Sequence, residues 1–80
     1  MGREWLREIR VEKGMTHDDV AVQVNISRQY YGMIESGIRD PSVALAKRIG
    51  AVLGLEWTLF FRHQGNEMFP LNNAQSKEVI

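Results

Sequence analysis

Apolar positions recur at helical spacing along most of this chain, and glycines or capping residues punctuate them. Trp5, Leu6 and Ile9 share one face between Arg3 and Lys13, and Gly14 follows where helices commonly stop. Val20, Ala21 and Val24 give the inner face of a second, shorter helix. Tyr31 and Ile34 give that of a third, which Gly37 would end. Asp40-Pro41-Ser42 is a turn and helix-start signal, after which Leu45, Ile49, Val52 and Leu53 mark a fourth helix ending at Gly54. A fifth short helix is predicted over Glu56 to Phe61. No segment alternates with period two over a useful length, so the fold class is all-α.

The stretch from Thr16 to Gly37 carries two helix starts about one short helix apart. Thr16 can cap the second helix, with Asp19 as the acid of a capping box, and Ser27 can cap the third. Only Val24, Asn25 and Ile26 remain for the turn between them. Two helices joined by so short a turn form a helix-turn-helix, whose second helix can enter a DNA major groove. The predicted architecture is therefore a compact five-helix domain with this unit at helices two and three.

Eighty residues with 44% hydrophobic content make one small domain, in which every apolar face must be used or shared with a partner. Without cysteine there are neither disulfides nor thiolate metal sites. His17 and His63 offer no metal-ligand spacing, so no metal and no cofactor is expected. No apolar run approaches a membrane span, and Met1 to Val11 is charged rather than signal-like. The expectation is a soluble, cytoplasmic, nucleoid-associated protein with no membrane partner.

Net charge is zero, which is unusual for a nucleic-acid binder. Distribution offsets this: Asp18, Asp19 and Ser42 sit at helix starts, where acids and hydroxyls serve as caps, and Arg10 and Glu35 can neutralise each other. Arg28, Arg39, Lys47 and Arg48 then remain for a local basic surface. Modest non-specific affinity and a shallow salt slope follow.

Beyond Arg62 the periodicity ends, with Gly65, Pro70, Asn72 and Asn73 interrupting it. The division is a DNA-binding domain over residues 1–62 and a C-terminal tail over residues 63–80. The tail is read as irregular; the alternative is an arm whose Met68, Phe69 and Leu71 dock onto a partner.

Several motifs in one order resemble the Xre-like helix-turn-helix family, the class of the lambdoid phage repressors and Cro. The likeness spans roughly Leu6 to Phe61. It comprises R-x-x-K-G-M-T at Arg10 to Thr16, V-A at Val20 and Ala21, I-S-R-Q-Y-Y-G-M-I-E-S-G at Ile26 to Gly37, and the D-P-S and L-A-K-R-I-G-A-V-L-G-L segments at Asp40 to Leu55. The resemblance implies a lambda-repressor-like fold and a sequence-specific regulator of transcription, most simply a repressor, bound as a homodimer to double-stranded DNA at a pseudo-palindromic operator.

Carried over residue by residue, the resemblance implies that Arg28, Gln29, Gly32 and Met33 face the bases. Helical geometry agrees, because these positions lie opposite Tyr31 and Ile34. Arg28 suits guanine O6 and N7, and Gln29 suits adenine N6 and N7; the bland alternative is a solvated first turn. Gly32 and Met33 depart from the polar residues often found there. A glycine in mid-helix costs about 1 kcal/mol relative to alanine. It fits either close approach of the helix backbone to DNA, with Met33 on a thymine methyl, or a weak helix that reads few bases.

His17 stands where the family usually has a glutamine that contacts phosphate. An imidazolium there would make affinity rise on acidification from about pH 8 to 6; alternatively His17 is an exposed first-turn residue without a role. Ser27, Tyr30, Ser36 and Arg39 are candidates for backbone contacts, which position without specifying, though Tyr30 could pack against helix four instead. Arg10 and Glu35 match a family ion pair that braces the recognition helix against helix one.

Trp57, Leu59, Phe60 and Phe61 are too apolar for one short helix to bury inward, and surplus apolar surface implies a partner. The resembled class dimerises here, which makes Trp57, Phe60 and Phe61 candidate interface residues; the alternative is that they complete the core beside Trp5. Enzymatic function finds no support, with no Ser-His-acid or Cys-His set and no phosphate loop. Two other regulatory readings stay open: an antitoxin-type autoregulator whose tail binds a protein partner, and a small controller protein that also activates through Asp18 or Asp19.

Overall fold

The computed structural model describes residues 2–62. Within them lie four α-helices, α1 (Glu4–Glu12), α2 (His17–Val24), α3 (Arg28–Ser36) and α4 (Val43–Leu53), followed by a 3-10 helix at Trp57–Phe61. Helix α2 packs against both α3 and α4, α1 against α3, and α4 against the 3-10 segment. The reading of residues 63–80 as an irregular tail or docking arm lies outside the described residues.

The caps explain where the helices begin. Asp19 N donates to Thr16 Oγ1 at 3.1 Å while Thr16 N donates to Asp19 Oδ2 at 2.8 Å, a complete capping box. Ser27 Oγ accepts from Tyr30 N at 3.0 Å, and Ser42 Oγ from Leu45 N at 3.1 Å. Val24 belongs to α2 rather than to the turn, which leaves Asn25 and Ile26 before the Ser27 cap. Asn25 takes a left-handed conformation at φ 63° and Ile26 N returns to Ala21 O at 3.0 Å, closing the helix end. Asparagine tolerates that conformation better than other residues with a Cβ.

The fifth helix expected over Glu56 to Phe61 is a 3-10 turn instead. Leu59 N bonds Glu56 O at 3.0 Å, three residues back. Five residues rich in aromatics are too few and too poor as helix formers to nucleate an α-helix. What holds the segment is burial: Phe60 is 1% exposed and its ring meets Trp5 edge-on, with centroids 5.2 Å apart.

Leu6, Val20, Ala21, Val24, Tyr31, Ile34, Leu45, Ala46, Ile49, Leu53 and Phe60 form the core. Gly50 lets the chain turn back on α4: a Cβ there would lie 2.8 Å from Leu55 O, and Leu55 N bonds Gly50 O at 3.0 Å. This close approach delivers Phe60 to the core.

Candidate nucleic-acid interface

Helix α3 buries Tyr31 and Ile34 completely and turns Arg28 and Gln29 to solvent. Gly32 and Met33, half-buried, lie between these extremes. Together with His17, Ser27, Ser36 and Ile38 the four outward residues line an open concavity of about 660 Å³. Arg28 also borders a second cleft, shared with Arg10, Thr16, His17 and Asp18 at the start of α2. The structure thus brings the expected base-facing residues together with three of the expected backbone-contact residues, His17, Ser27 and Ser36.

Behind this surface sits one buried carboxylate. Glu35, 7% exposed, accepts from Arg10 through Nε at 2.8 Å and Nη2 at 3.0 Å, and from Tyr31 Oη at 2.9 Å. His17 Nε2 lies 3.0 Å from Glu35 Oε1 and must carry the proton of that bond, since an ionised carboxylate only accepts. Arg10 Nη1 reaches onward to Met15 O at 2.7 Å. One side chain on α3 is thereby tied to α1, to α2 and to the turn between them. Burial alone would raise the Glu35 carboxyl, but hydrogen bonds from Arg10, His17 and Tyr31 outweigh it and hold the group below the usual carboxylate range. The bond to Glu35 raises the Arg10 guanidinium, while burial and then the Glu35 charge push the Tyr31 phenol well above its ordinary value.

With Nε2 on Glu35, the Nδ1 edge of His17 faces α3, 3.7 Å from where a Cβ on Gly32 would stand. That is ordinary contact distance, so no neighbour within the chain demands glycine at position 32.

The C-terminal end of α3 has its own brace, one that sequence reasoning missed. Arg3 N donates to Glu35 O at 2.8 Å, and Arg3 Nη1 donates to Ile34 O at 2.5 Å and Arg39 O at 3.1 Å. Its Nη2 pairs with Asp40, and the guanidinium lies over the Phe60 ring, 5.5 Å from the centroid. These contacts bridge more than thirty positions of sequence, so no local pattern announces them.

Other expected site residues are partly committed elsewhere. Ser27 Oγ accepts its cap bond with the hydroxyl proton left over, whereas Ser36 Oγ gives its proton to Met33 O at 3.0 Å. Tyr30 is half-buried against the core, and Arg39 is exposed beyond α3. Arg48 is exposed but anchored: its Nη2 donates to Val24 O at 3.2 Å, where the last carbonyls of α2 lack helical partners. Lys47 lies over the Trp57 ring at 5.1 Å. Trp57 and Phe61, both half-buried, meet edge-on with centroids 6.2 Å apart, while Phe60 fills the core of its own chain and is withdrawn from any surface.

A model of the helix-turn-helix family HTH_3 matches residues 6–60, from Leu6 through the buried Phe60. The chain belongs to that family. Its members of Xre type are DNA-binding transcriptional regulators, not enzymes. This helix-turn-helix chain is 51% identical over 67 residues to an uncharacterized HTH-type transcriptional regulator, YqaF, of Bacillus subtilis, across 84% of this chain and 88% of the relative. It is 33% identical over 57 residues to the control protein C.MunI of a Mycoplasma species, across 70% and 77% of the two chains. Among solved structures it is similar to the restriction-modification controller protein C.AhdI from Aeromonas hydrophila, with a TM-score of 0.63 and 30% identity over 70% of this chain and 85% of that one. Four α-helices and a 3-10 turn in the lambda-repressor-like arrangement are thus the helix-turn-helix fold of this chain. Among its described residues no helix is long and apolar enough to cross a membrane.

Proposed function

We propose that this regulator represses transcription as a homodimer that sets α3 of each copy into the major groove of a pseudo-palindromic operator. The observation that carries this reading is the division of α3 into a buried stripe, Tyr31, Ile34 and Glu35, and an outward stripe, Arg28, Gln29, Gly32 and Met33. Arg28 offers a fork for guanine O6 and N7, and Gln29 an amide for adenine N6 and N7. Ser27, with a free hydroxyl proton, and His17, Tyr30 and Arg39 flank the helix and make backbone contacts; Ser36 reaches phosphate only by releasing Met33 O.

Trp57 and Phe61 supply the dimer surface, since Phe60 is consumed by the core. A two-fold pair places the recognition helices about 34 Å apart, one turn of DNA. Selection of bound duplexes from a random pool tests the reading: a symmetric enriched motif supports it, and uniform weak binding overturns it. Salt titration on the enriched duplex should give a shallow slope, because the chain carries no net charge.

A second reading, a small controller that also activates, is favoured by the likeness to the control protein C.MunI and the controller protein C.AhdI. Asp18 is the residue for polymerase contact, because Asp19 is held in the capping box. A reporter that rises with the wild type and not with Asp18→Ala, at equal DNA occupancy, would establish activation.

A further inference from the structure

We infer that Arg3 is a positioning residue for DNA binding, which clamps the turn after α3 so that Arg39 is presented to the phosphate backbone. The inference rests on the DNA-reading function proposed above, and it concerns a residue that precedes the family match over residues 6–60.

The turn after α3 is held by its backbone and not by packing. Gly37 lies at φ 88° with its N donating to Ile34 O at 3.2 Å, while Ile38 N and Arg39 N both donate to Met33 O, at 2.9 and 3.2 Å. Positions 37–40 are all exposed. A segment with so few buried contacts opens easily unless something else restrains it.

Arg3 provides that restraint. Its Nη1 donates to Ile34 O at 2.5 Å and to Arg39 O at 3.1 Å, one carbonyl on each side of the Gly37 turn, and its Nη2 pairs with Asp40. Arg39 is thus fixed at its amide by Met33 O and at its carbonyl by Arg3. The clamp is itself anchored: Arg3 N donates to Glu35 O at 2.8 Å, its side chain is 10% exposed, and the guanidinium lies over the Phe60 ring. A planar guanidinium can serve these partners together because its donors form a rigid fork, which a lysine ammonium on its flexible stem does not reproduce. With its donors turned inward, Arg3 acts on DNA through Arg39. A contact residue whose backbone is already fixed loses less freedom on binding.

The test compares wild type, Arg3→Lys, Arg39→Ala and the double variant as full chains, because lysine keeps the charge and removes only the fork. Amide hydrogen exchange should quicken at Ile38 and Arg39 in Arg3→Lys and stay unchanged at Ile26, whose bond to Ala21 O closes α2. Fluorescence anisotropy, at a temperature where circular dichroism shows each protein folded, should give a loss of about tenfold on the enriched duplex, the worth of one hydrogen bond to a charged group. The salt slope should match the wild type, since no phosphate contact of Arg3 itself is lost. In the Arg39→Ala background the same Arg3→Lys change should cost less than about twofold, as coupled residues require. A merely structural role would lower the urea midpoint and leave the affinity of the folded protein unchanged. Wild-type affinity in Arg3→Lys or in Arg39→Ala, unchanged exchange at Ile38 and Arg39, or an equal loss in both backgrounds overturns the inference while leaving the regulator reading intact. Enrichment of no sequence at all removes the regulator reading itself, and the inference with it.

Discussion

His17 Nε2 stands 3.0 Å from Glu35 Oε1, so the first residue of α2 is bonded to the buried carboxylate that Arg10 holds from α1. Helix α3 is consequently fixed in angle by polar bonds as well as by Tyr31 and Ile34. A buried ion pair contributes little net stability when intact, but its dissolution is costly because the surviving charge has no solvent.

Glu35→Ala should therefore lose about 3–5 kcal/mol of unfolding free energy, leaving Arg10 unpaired. Urea denaturation followed by circular dichroism measures it. An unchanged midpoint would show that the ion pair does not brace the fold. DNA affinity should fall in the same variant, since α3 loses its tether to both preceding helices.

Stability should decline on both sides of neutrality, for separate reasons. The folded Glu35 carboxyl lies below its ordinary value, so its contribution is complete above about pH 4.3 and is lost as pH falls through the lower folded value. The folded Tyr31 phenol lies above its ordinary value, so the folded state keeps its proton longer than the unfolded chain does. Its contribution is complete below about pH 10 and drains away as pH rises toward the folded value. Thermal melts across pH should show the alkaline decline weakened in Tyr31→Phe.

His17 should contribute to DNA affinity. With Nε2 on Glu35, its Nδ1 edge lies on the side of the concavity, beside Gly32. His17→Ala should weaken operator binding measured by fluorescence anisotropy. An affinity equal to that of the wild type would remove His17 from the DNA contact.

Gly32 and Gly50 should respond to alanine with opposite signs. At position 32 the nearest atom to a Cβ is His17 Nδ1 at 3.7 Å, so Gly32→Ala should stabilise by about 0.5–1 kcal/mol through helix propensity. If the helix backbone closely approaches the bases, the same variant should bind operator more weakly. At position 50 a Cβ would stand 2.8 Å from Leu55 O, a backbone atom, so Gly50→Ala should destabilise by about 1–3 kcal/mol. Paired chemical denaturation curves check both.

Phe60 and its neighbours should separate folding from assembly. Phe60→Ala should cost about 3–5 kcal/mol, as a buried ring does. Trp57→Ala together with Phe61→Ala should leave the fold standing and shift sedimentation from dimer to monomer. A double variant that sediments unchanged would move the dimer surface elsewhere.

Much of the helical layout was legible because its signals are local. Thr16, Ser27 and Ser42 announce helix starts through hydroxyls that satisfy nearby amides, and the residues read as inner faces at Val20, Ala21, Val24, Tyr31 and Ile34 are buried. The fifth helix expected over Glu56 to Phe61 is a 3-10 turn over Trp57–Phe61, because an apolar run there reports burial without reporting which ladder supports it. Asn25 carried no pattern of its own, since only the closed end of α2 reveals its left-handed backbone.

By itself, then, the sequence determined the four α-helices, the hydroxyl caps of α2, α3 and α4, and the outward stripe on α3, since periodicity and capping act over three or four residues. Tertiary structure alone decided that Arg3 grips the far end of that helix, that Arg48 is engaged on Val24 O, and that Phe60 turns inward while Ile38 stays out. The physical reason is range. Those outcomes rest on partners or packing distant along the chain, and they exist only once the core has brought the elements together.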